Sequence, residues 1–173
     1  MSRQLTRWCA AVVLVFALAG AACGWLWEWV WDAPTGVVVK GAWYPDPWDA
    51  GNRAAFSGTG WYVAIALTAG LLLGLGAGLR SRGRELATLA AVLVGSALAG
   101  ALMYAVGVWL APADPEPMAA GLADGQRLRG SLSVSGATSY AAFTVGALLP
   151  LAVLYLTVTR RPAEPRTAEP TRR

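Results

Sequence analysis

Long apolar blocks alternate with polar segments along the chain. Four blocks have the length of about 20 residues that a helix needs to cross the hydrocarbon core of a bilayer. A charge in hydrocarbon is costly, and Glu28 is the only charged residue within these blocks. The pattern therefore predicts an all-α membrane protein with a transmembrane domain over residues 1–159 and four transmembrane helices, at residues 8–31, 60–79, 86–110 and 140–159.

The connections between the blocks predict two tandem helical hairpins. Residues 80–85 form one short turn, whereas the other two connections are too long for tight turns and too short for independent domains. The first long loop contains a β-branched run at residues 37–39, and residues 127–135 of the second alternate between polar and apolar types. These runs predict short strands, and hence a small β cap built from both outer loops.

The distribution of basic residues predicts the orientation. Ten of the 14 Lys and Arg residues lie before the first block, in the 80–85 turn or after the last block, whereas most acids lie in the two long loops. The positive-inside rule then places both termini in the cytoplasm and both long loops outside the plasma membrane. Residues 160–173 are Pro-rich and charged, which predicts a disordered cytoplasmic tail.

Composition agrees with a membrane protein. Hydrophobic residues make up 56% of the chain and charged residues 14%, whereas soluble domains have roughly 45–50% and 25%. The formal net charge of +4 could indicate nucleic-acid binding. Because the arginines flank the apolar blocks, we predict the lipid bilayer as the partner and no nucleic acid.

Aromatic residues mark the outer membrane boundary. Trp and Tyr favour this level because their rings are apolar while the N–H or O–H needs water. The predicted interfacial anchors are Trp25, Trp27, Trp29, Trp31, Trp61, Tyr62, Trp109 and Tyr140.

Small residues spaced four apart predict close helix packing. They let two backbones approach where lipid supplies no hydrophobic drive. The favoured interpretation is packing within one chain, and a homodimer face is the alternative. The predicted packing residues are Gly70, Gly74 and Gly78 in the second block, Ser96 and Gly100 in the third, and Gly20 and Gly24 in the first.

Pro150 lies midway through the fourth block. Proline removes a helical hydrogen bond and bends a helix, so a kink is predicted there. Broken helices also mark transport sites, but a packing kink is favoured because no charge accompanies Pro150.

The sequence predicts no catalytic, cofactor or metal site. It contains no histidine, so a serine would lack a histidine base and a zinc site would lack its common ligand. Cys9 and Cys23 would lie roughly 21 Å apart on one helix, too far for a disulfide. Asp46 and Asp49 resemble a loose cation loop, but a proline-rigidified turn is favoured because calcium needs six or more oxygens.

The two halves of the chain match at an offset of 78 residues. VWDAP at residues 30–34 corresponds to VWLAP at 108–112, and Ser57, Gly58, Tyr62 and Ala64 correspond to identical residues after the second long loop. The match predicts an internal duplication. Because each copy contains two crossings, a parallel repeat about an axis along the membrane normal is expected.

The N-terminal block has a rival interpretation as a lipoprotein signal ending at Cys23. Gly20 stands where such signals have a branched aliphatic residue, and GWLWEWVW follows Cys23 in place of a polar tether. We therefore expect this block to be retained as the first transmembrane helix.

Three segments resemble a known family. They are the Trp–Ala–Pro exit from the first block, GTGWYVAIALTAG at residues 58–70 and GVWLAPADPEP at residues 107–117. They resemble an actinobacterial family of small four-helix membrane proteins that is known only as a domain of unknown function. In that family an acidic Ala-Asp-Gly-Trp-Phe segment stands where this chain has SGTGWY. The resemblance implies a topology and an actinobacterial setting, and it supplies no activity.

These observations support one leading functional hypothesis and two alternatives. The leading one is a non-enzymatic envelope scaffold or a subunit of a membrane complex. A small transporter or channel is second, and an enzyme acting on lipids or envelope precursors is third. If Thr68, Ser96 and Thr144 lined a shared cavity, transport would be favoured, whereas their dispersal would favour a scaffold.

Overall fold

The computed structural model describes residues 3–81 and 83–159. The predicted tail at 160–173 lies outside the described residues. The elements in chain order are α1 (Arg3–Val30), β1 (Thr35–Val39), β2 (Ala42–Pro45), α2 (Ala50–Arg80), α3 (Glu85–Leu110), α4 (Pro115–Ala119), β3 (Arg127–Arg129), a 3₁₀ helix (Ala137–Ala141) and α5 (Ala142–Thr159).

Four of these helices, α1, α2, α3 and α5, belong to segments that are long and apolar enough to cross a membrane. They confirm the predicted four-helix architecture, which is compatible with a multi-pass membrane protein. The helix α1 continues without interruption through Cys23 to Val30. The helix α5 continues through Pro150, which leaves the carbonyl one turn earlier without its helical hydrogen bond.

The helix α2 begins ten residues earlier than predicted, at Ala50. The added turns are not strongly apolar, so hydropathy alone did not indicate them. Tertiary contacts explain them. The indole N–H of Trp31 donates to the carbonyl of Ala54 at 3.0 Å, and that of Trp27 donates to the carbonyl of Gly58 at 2.7 Å. These two hydrogen bonds therefore hold the N-terminal turns of α2 against the end of α1.

A three-stranded antiparallel sheet joins the two long loops, in the order β2-β1-β3. It confirms the predicted β cap. Lys40 and Gly41, both with positive φ, connect β1 to β2, as in a tight two-residue hairpin. The second loop contributes only Arg127–Arg129, so the strand predicted over 127–135 is shorter than expected. The amide of Gly130 instead donates to the carbonyl of Pro34 at 2.7 Å.

The sheet distinguishes the two ends of the helical bundle. We call the end that carries the sheet the cap end, and the end that carries Ser81, Gly83 and Arg84 the turn end. The helices α1 and α3 run from the turn end to the cap end, while α2 and α5 run back. Like-directed helices are neighbours, since α1 packs mainly on α3 and α2 packs mainly on α5.

This arrangement corrects the expected two-fold axis. A two-fold axis along the membrane normal would place equivalent helices diagonally across a four-helix ring, and it would bury equivalent positions. Here the equivalent helices are adjacent, and Phe16 is 2% exposed whereas Val94, its equivalent at offset 78, is 59% exposed. The two hairpins therefore lie side by side, with different faces buried. The duplication itself stays a prediction.

Candidate functional site

The predicted glycine ridge of α2 lies against α5 of the same chain. A Cβ atom built on Gly70 would come within 2.9 Å of the backbone nitrogen of Ala147, and one on Gly74 would overlap the backbone of the same residue. At Gly78 the neighbours are the side chains of Leu151 and Leu154. The backbones of α2 and α5 thus approach closely only because side chains are absent at Gly70 and Gly74.

A second seam joins α1 to α3. A Cβ atom on Gly20 would overlap the backbone of Ala99, and one on Gly24 would lie 3.1 Å from the Cα atom of Met103. The two packing residues predicted in the third block, Ser96 and Gly100, contact α5 and α2 and are not part of this seam. Ser96 Oγ lies 3.4 Å from Thr144 Oγ1 on α5, and the carbonyl of Gly100 accepts a hydrogen bond from Tyr62.

An aromatic cluster fills the bundle toward the cap end. The side chains of Trp27, Tyr62, Tyr140 and Tyr104 form a closed circuit in which each contacts two others, with ring centroids of contacting pairs 5.1 to 6.4 Å apart. Trp27 and Tyr62 meet edge to face, an arrangement that aromatic quadrupoles favour. Tyr104 was not predicted from the sequence, because it lies inside the third apolar block and not at its end.

The interfacial-anchor interpretation is corrected for Trp27, Trp31 and Tyr62, which are buried in the protein. Their polar atoms need no interfacial water because carbonyls within the protein accept their hydrogen bonds. Tyr62 Oη donates to the carbonyl of Gly100 at 3.0 Å, and the two indoles donate to carbonyls of α2. A buried Trp or Tyr needs such a partner. The remaining predicted anchors are exposed, namely Trp25, Trp29, Trp61, Trp109 and Tyr140.

The interior hydroxyls do not converge on one cavity. Ser96 and Thr144 contact each other, but Thr68 is exposed and donates to the carbonyl of Ala64 in its own helix. Thr88 is fully buried and accepts from the indole of Trp8 at 3.1 Å. Within the described ranges, every buried side-chain nitrogen or oxygen has a hydrogen-bond partner.

The carboxylates of the suspected cation loop pair with arginines. Asp49 forms an ion pair with Arg53, four residues along the chain, and Asp46 lies 3.5 Å from Arg127 at the edge of the sheet. These pairs connect the loop to α2 and to β3. They are structural contacts, as the favoured interpretation of a rigid turn implies.

Two large apolar side chains stand exposed at the cap end. Trp48 is 80% exposed and Phe56 is 84% exposed. Phe56 lies five residues before Trp61, or about 7.5 Å farther along α2, and Trp48 precedes that helix. Neither residue was predicted from the sequence, because both lie in a segment predicted to be a loop.

An apolar groove of about 310 Å³ lies between α1 and α2 at the turn end. Its lining includes Trp8, Val12 and Phe16 from α1, and Leu72 and Gly76 from α2. Arg80 lies at its outer end and, among the described lining residues, is the only charged one. The groove was not predictable from the sequence, because it depends on how far two helices separate. The one available signal was Gly76, a glycine outside the four-residue ridge spacing.

No family model, no curated protein and no solved structure matches the chain.

Proposed function

We propose that the chain is a non-enzymatic membrane scaffold, or a subunit of a membrane complex, that binds a protein partner through its cap end. The observation that carries the proposal is the exposure of Trp48 and Phe56 beyond the boundary that Trp61 marks. Exposed apolar surface often marks interaction sites, and aromatic side chains dominate the energetics of many interfaces. The small sheet and the indole hydrogen bonds fix the segment that carries both residues.

The distribution of hydroxyl groups supports a scaffold over a transporter. Ser96 and Thr144 are paired in the interior, while Thr68 faces outward and bonds its own helix. The groove at the turn end is apolar and contains none of the three. A transporter or channel therefore stays the second hypothesis, and an enzyme acting on lipids or envelope precursors stays the third.

The proposal includes residence in the plasma membrane with both termini in the cytoplasm, and membership of the actinobacterial family that the quoted segments resemble. The support for the orientation is the concentration of arginines at the turn end. The cap end, with Trp48 and Phe56, would then face the outside of the cell. A partner of the cap end would accordingly be an envelope protein or the outer part of another membrane protein.

The orientation predicts the outcome of cysteine labelling. Cys9 and Cys23 are replaced by alanine, and a single cysteine is then introduced at Gln4 or at Asn52, which are both exposed. We expect a membrane-impermeant maleimide to label the Asn52→Cys chain in intact cells and the Gln4→Cys chain only after lysis. Labelling of Gln4→Cys in intact cells would contradict the proposed orientation.

The partner-binding proposal predicts site-specific crosslinking. A photoreactive amino acid is placed at Trp48 or Phe56 in native membranes, and at Leu18, which is 64% exposed and lies mid-helix, as the control. We expect protein adducts from the two cap positions and lipid adducts from Leu18. Alanine at both cap positions should cost about 2 kcal/mol of binding energy per residue without lowering thermal stability. Equal protein adducts at all three positions would argue against a cap-end partner.

A further inference from the structure

We propose that the groove between α1 and α2 is a binding site for one acyl chain of an anionic phospholipid whose phosphate pairs with Arg80. This site lies at the opposite end of the bundle from the proposed partner surface and does not depend on it.

The shape follows from where hydrogen bonds join α1 to α2, which is toward the cap end. There Trp27 and Trp31 donate hydrogen bonds to α2 carbonyls. Toward the turn end, the helices separate enough to leave the groove of about 310 Å³. The buried side chains of Val12 and Phe16 form part of its lining.

The wall of the groove suits a hydrocarbon chain. Its lining residues are apolar apart from the indole N–H of Trp8 and the guanidinium of Arg80. The Trp8 N–H already donates to Thr88 Oγ1 at 3.1 Å. Because a bound water needs at least two polar partners, the wall offers no favourable place for ordered water. An acyl chain would instead contact apolar surface along the whole length of the groove.

The length of the groove suits a slender apolar ligand. From Leu72 to Arg80 the groove extends roughly 12 Å along α2, at 1.5 Å per residue. This length is close to the depth of one leaflet, which is about 15 Å. A volume of about 310 Å³ spread over that length matches an acyl chain that lies along the two helices.

The charge at the end of the groove selects the headgroup. Arg80 ends α2 and is exposed at the level where the apolar block stops. The guanidinium fork can pair with phosphate through two parallel hydrogen bonds. Nearby at the turn end, the described residues include Arg3, Arg7 and Arg84 against one acid, Glu85. A net positive surface favours an anionic headgroup over a zwitterionic one.

Gly76 provides a way to test the site without disturbing the bundle. A Cβ atom built there would meet no heavy atom within 4 Å, although Gly76 lines the groove. A phenylalanine at this position would project into the space that the acyl chain needs. Gly60 is the matched control, since it lies in the same helix, its Cβ atom would also meet nothing within 4 Å, and it is not a lining residue.

The experiment is native mass spectrometry of the full chain in detergent with phosphatidylglycerol or phosphatidylcholine added. We expect the wild-type chain to retain one phosphatidylglycerol, with a preference of about tenfold over phosphatidylcholine. Gly76→Phe should reduce retention at least tenfold, and Gly60→Phe should leave it unchanged. Arg80→Gln should abolish the preference for the anionic lipid while a lipid is still retained.

Leu72→Trp provides a second occlusion if Gly76→Phe fails to fold, because Leu72 lines the groove and is 67% exposed. The proposal is overturned if folded Gly76→Phe or Leu72→Trp retains the lipid as wild type does. It is also overturned if the anionic preference survives Arg80→Gln. A wild-type dimer that Gly76→Phe separates, with lipid retention unchanged, would assign the groove to a second copy.

Discussion

Replacing Gly74 by leucine is expected to lower the free energy of unfolding by about 3 kcal/mol, toward the upper end for an overpacked core. A Cβ atom at this position would overlap the carbonyl oxygen of Ala147 and lie 2.8 Å from its Cα atom. The obstructing atoms belong to the backbone of α5, so no rotamer change can relieve the overlap. The two helices must move apart, and the contacts along their whole seam weaken.

Thermal unfolding of the detergent-purified protein measures this effect, with Gly60→Leu as the control in the same helix. Gly60 has open space beside it, so its leucine variant should unfold close to the wild-type temperature. For a chain of this size, 3 kcal/mol corresponds to a shift of about 10 °C. Equal unfolding temperatures for the two variants would show that the α2–α5 seam is not as close as the structure places it.

The four spans could be predicted because a bilayer imposes a simple requirement. Every backbone group must be satisfied within the segment, and the side chains must be apolar over about 20 residues. The third block, predicted at 86–110, begins only one residue from the observed Glu85–Leu110. The run at residues 37–39 likewise lies in β1, because β-branched side chains favour extended backbone.

The early start of α2 could not be predicted from hydropathy. Residues 50–59 are mixed in polarity, and their helical conformation depends on contacts with Trp27 of α1 and with Trp31, the residue that follows α1. The strand predicted over 127–135 was too long for a related reason. Alternation in sequence extends past Arg129, but a partner strand does not, since β1 pairs only as far as that residue.

For the candidate sites too, features that depend on spacing within one helix could be predicted, whereas features that depend on packing between helices could not. Spacing of four residues identified Gly70 and Gly74, because a helix aligns such residues on one face whatever lies opposite. Spacing could not identify Gly76 as a groove residue, since this depends on the distance between α1 and α2. Spacing also could not show that Trp27 is buried and Trp29 exposed. Both residues lie in one alternating aromatic run, and they differ only in the face of α1 on which they lie.

Because Trp27 is buried whereas Trp29 is exposed, Trp27→Ala is expected to destabilise the protein by about 4 kcal/mol, as for the removal of a buried tryptophan. Trp27 is 0% exposed, its N–H donates to the carbonyl of Gly58 at 2.7 Å, and its ring packs where Gly107 has no side chain. Truncation would leave a cavity among the aromatic residues and remove one of the two indole hydrogen bonds that hold the N-terminal turns of α2.

Trp29→Ala is the matched control, because Trp29 is two residues away, 70% exposed and stacked on the exposed Trp25. Loss of such a stacking contact should cost about 1 kcal/mol or less. Trp27→Phe distinguishes the contribution of ring burial from that of the hydrogen bond to Gly58. This variant keeps most of the buried ring and loses the hydrogen bond, which should destabilise the protein by about 1 kcal/mol. Thermal unfolding of the three variants measures all of these differences. If Trp27→Ala and Trp29→Ala unfolded at the same temperature, both tryptophans would be lipid-boundary anchors, and the buried position of Trp27 would be wrong.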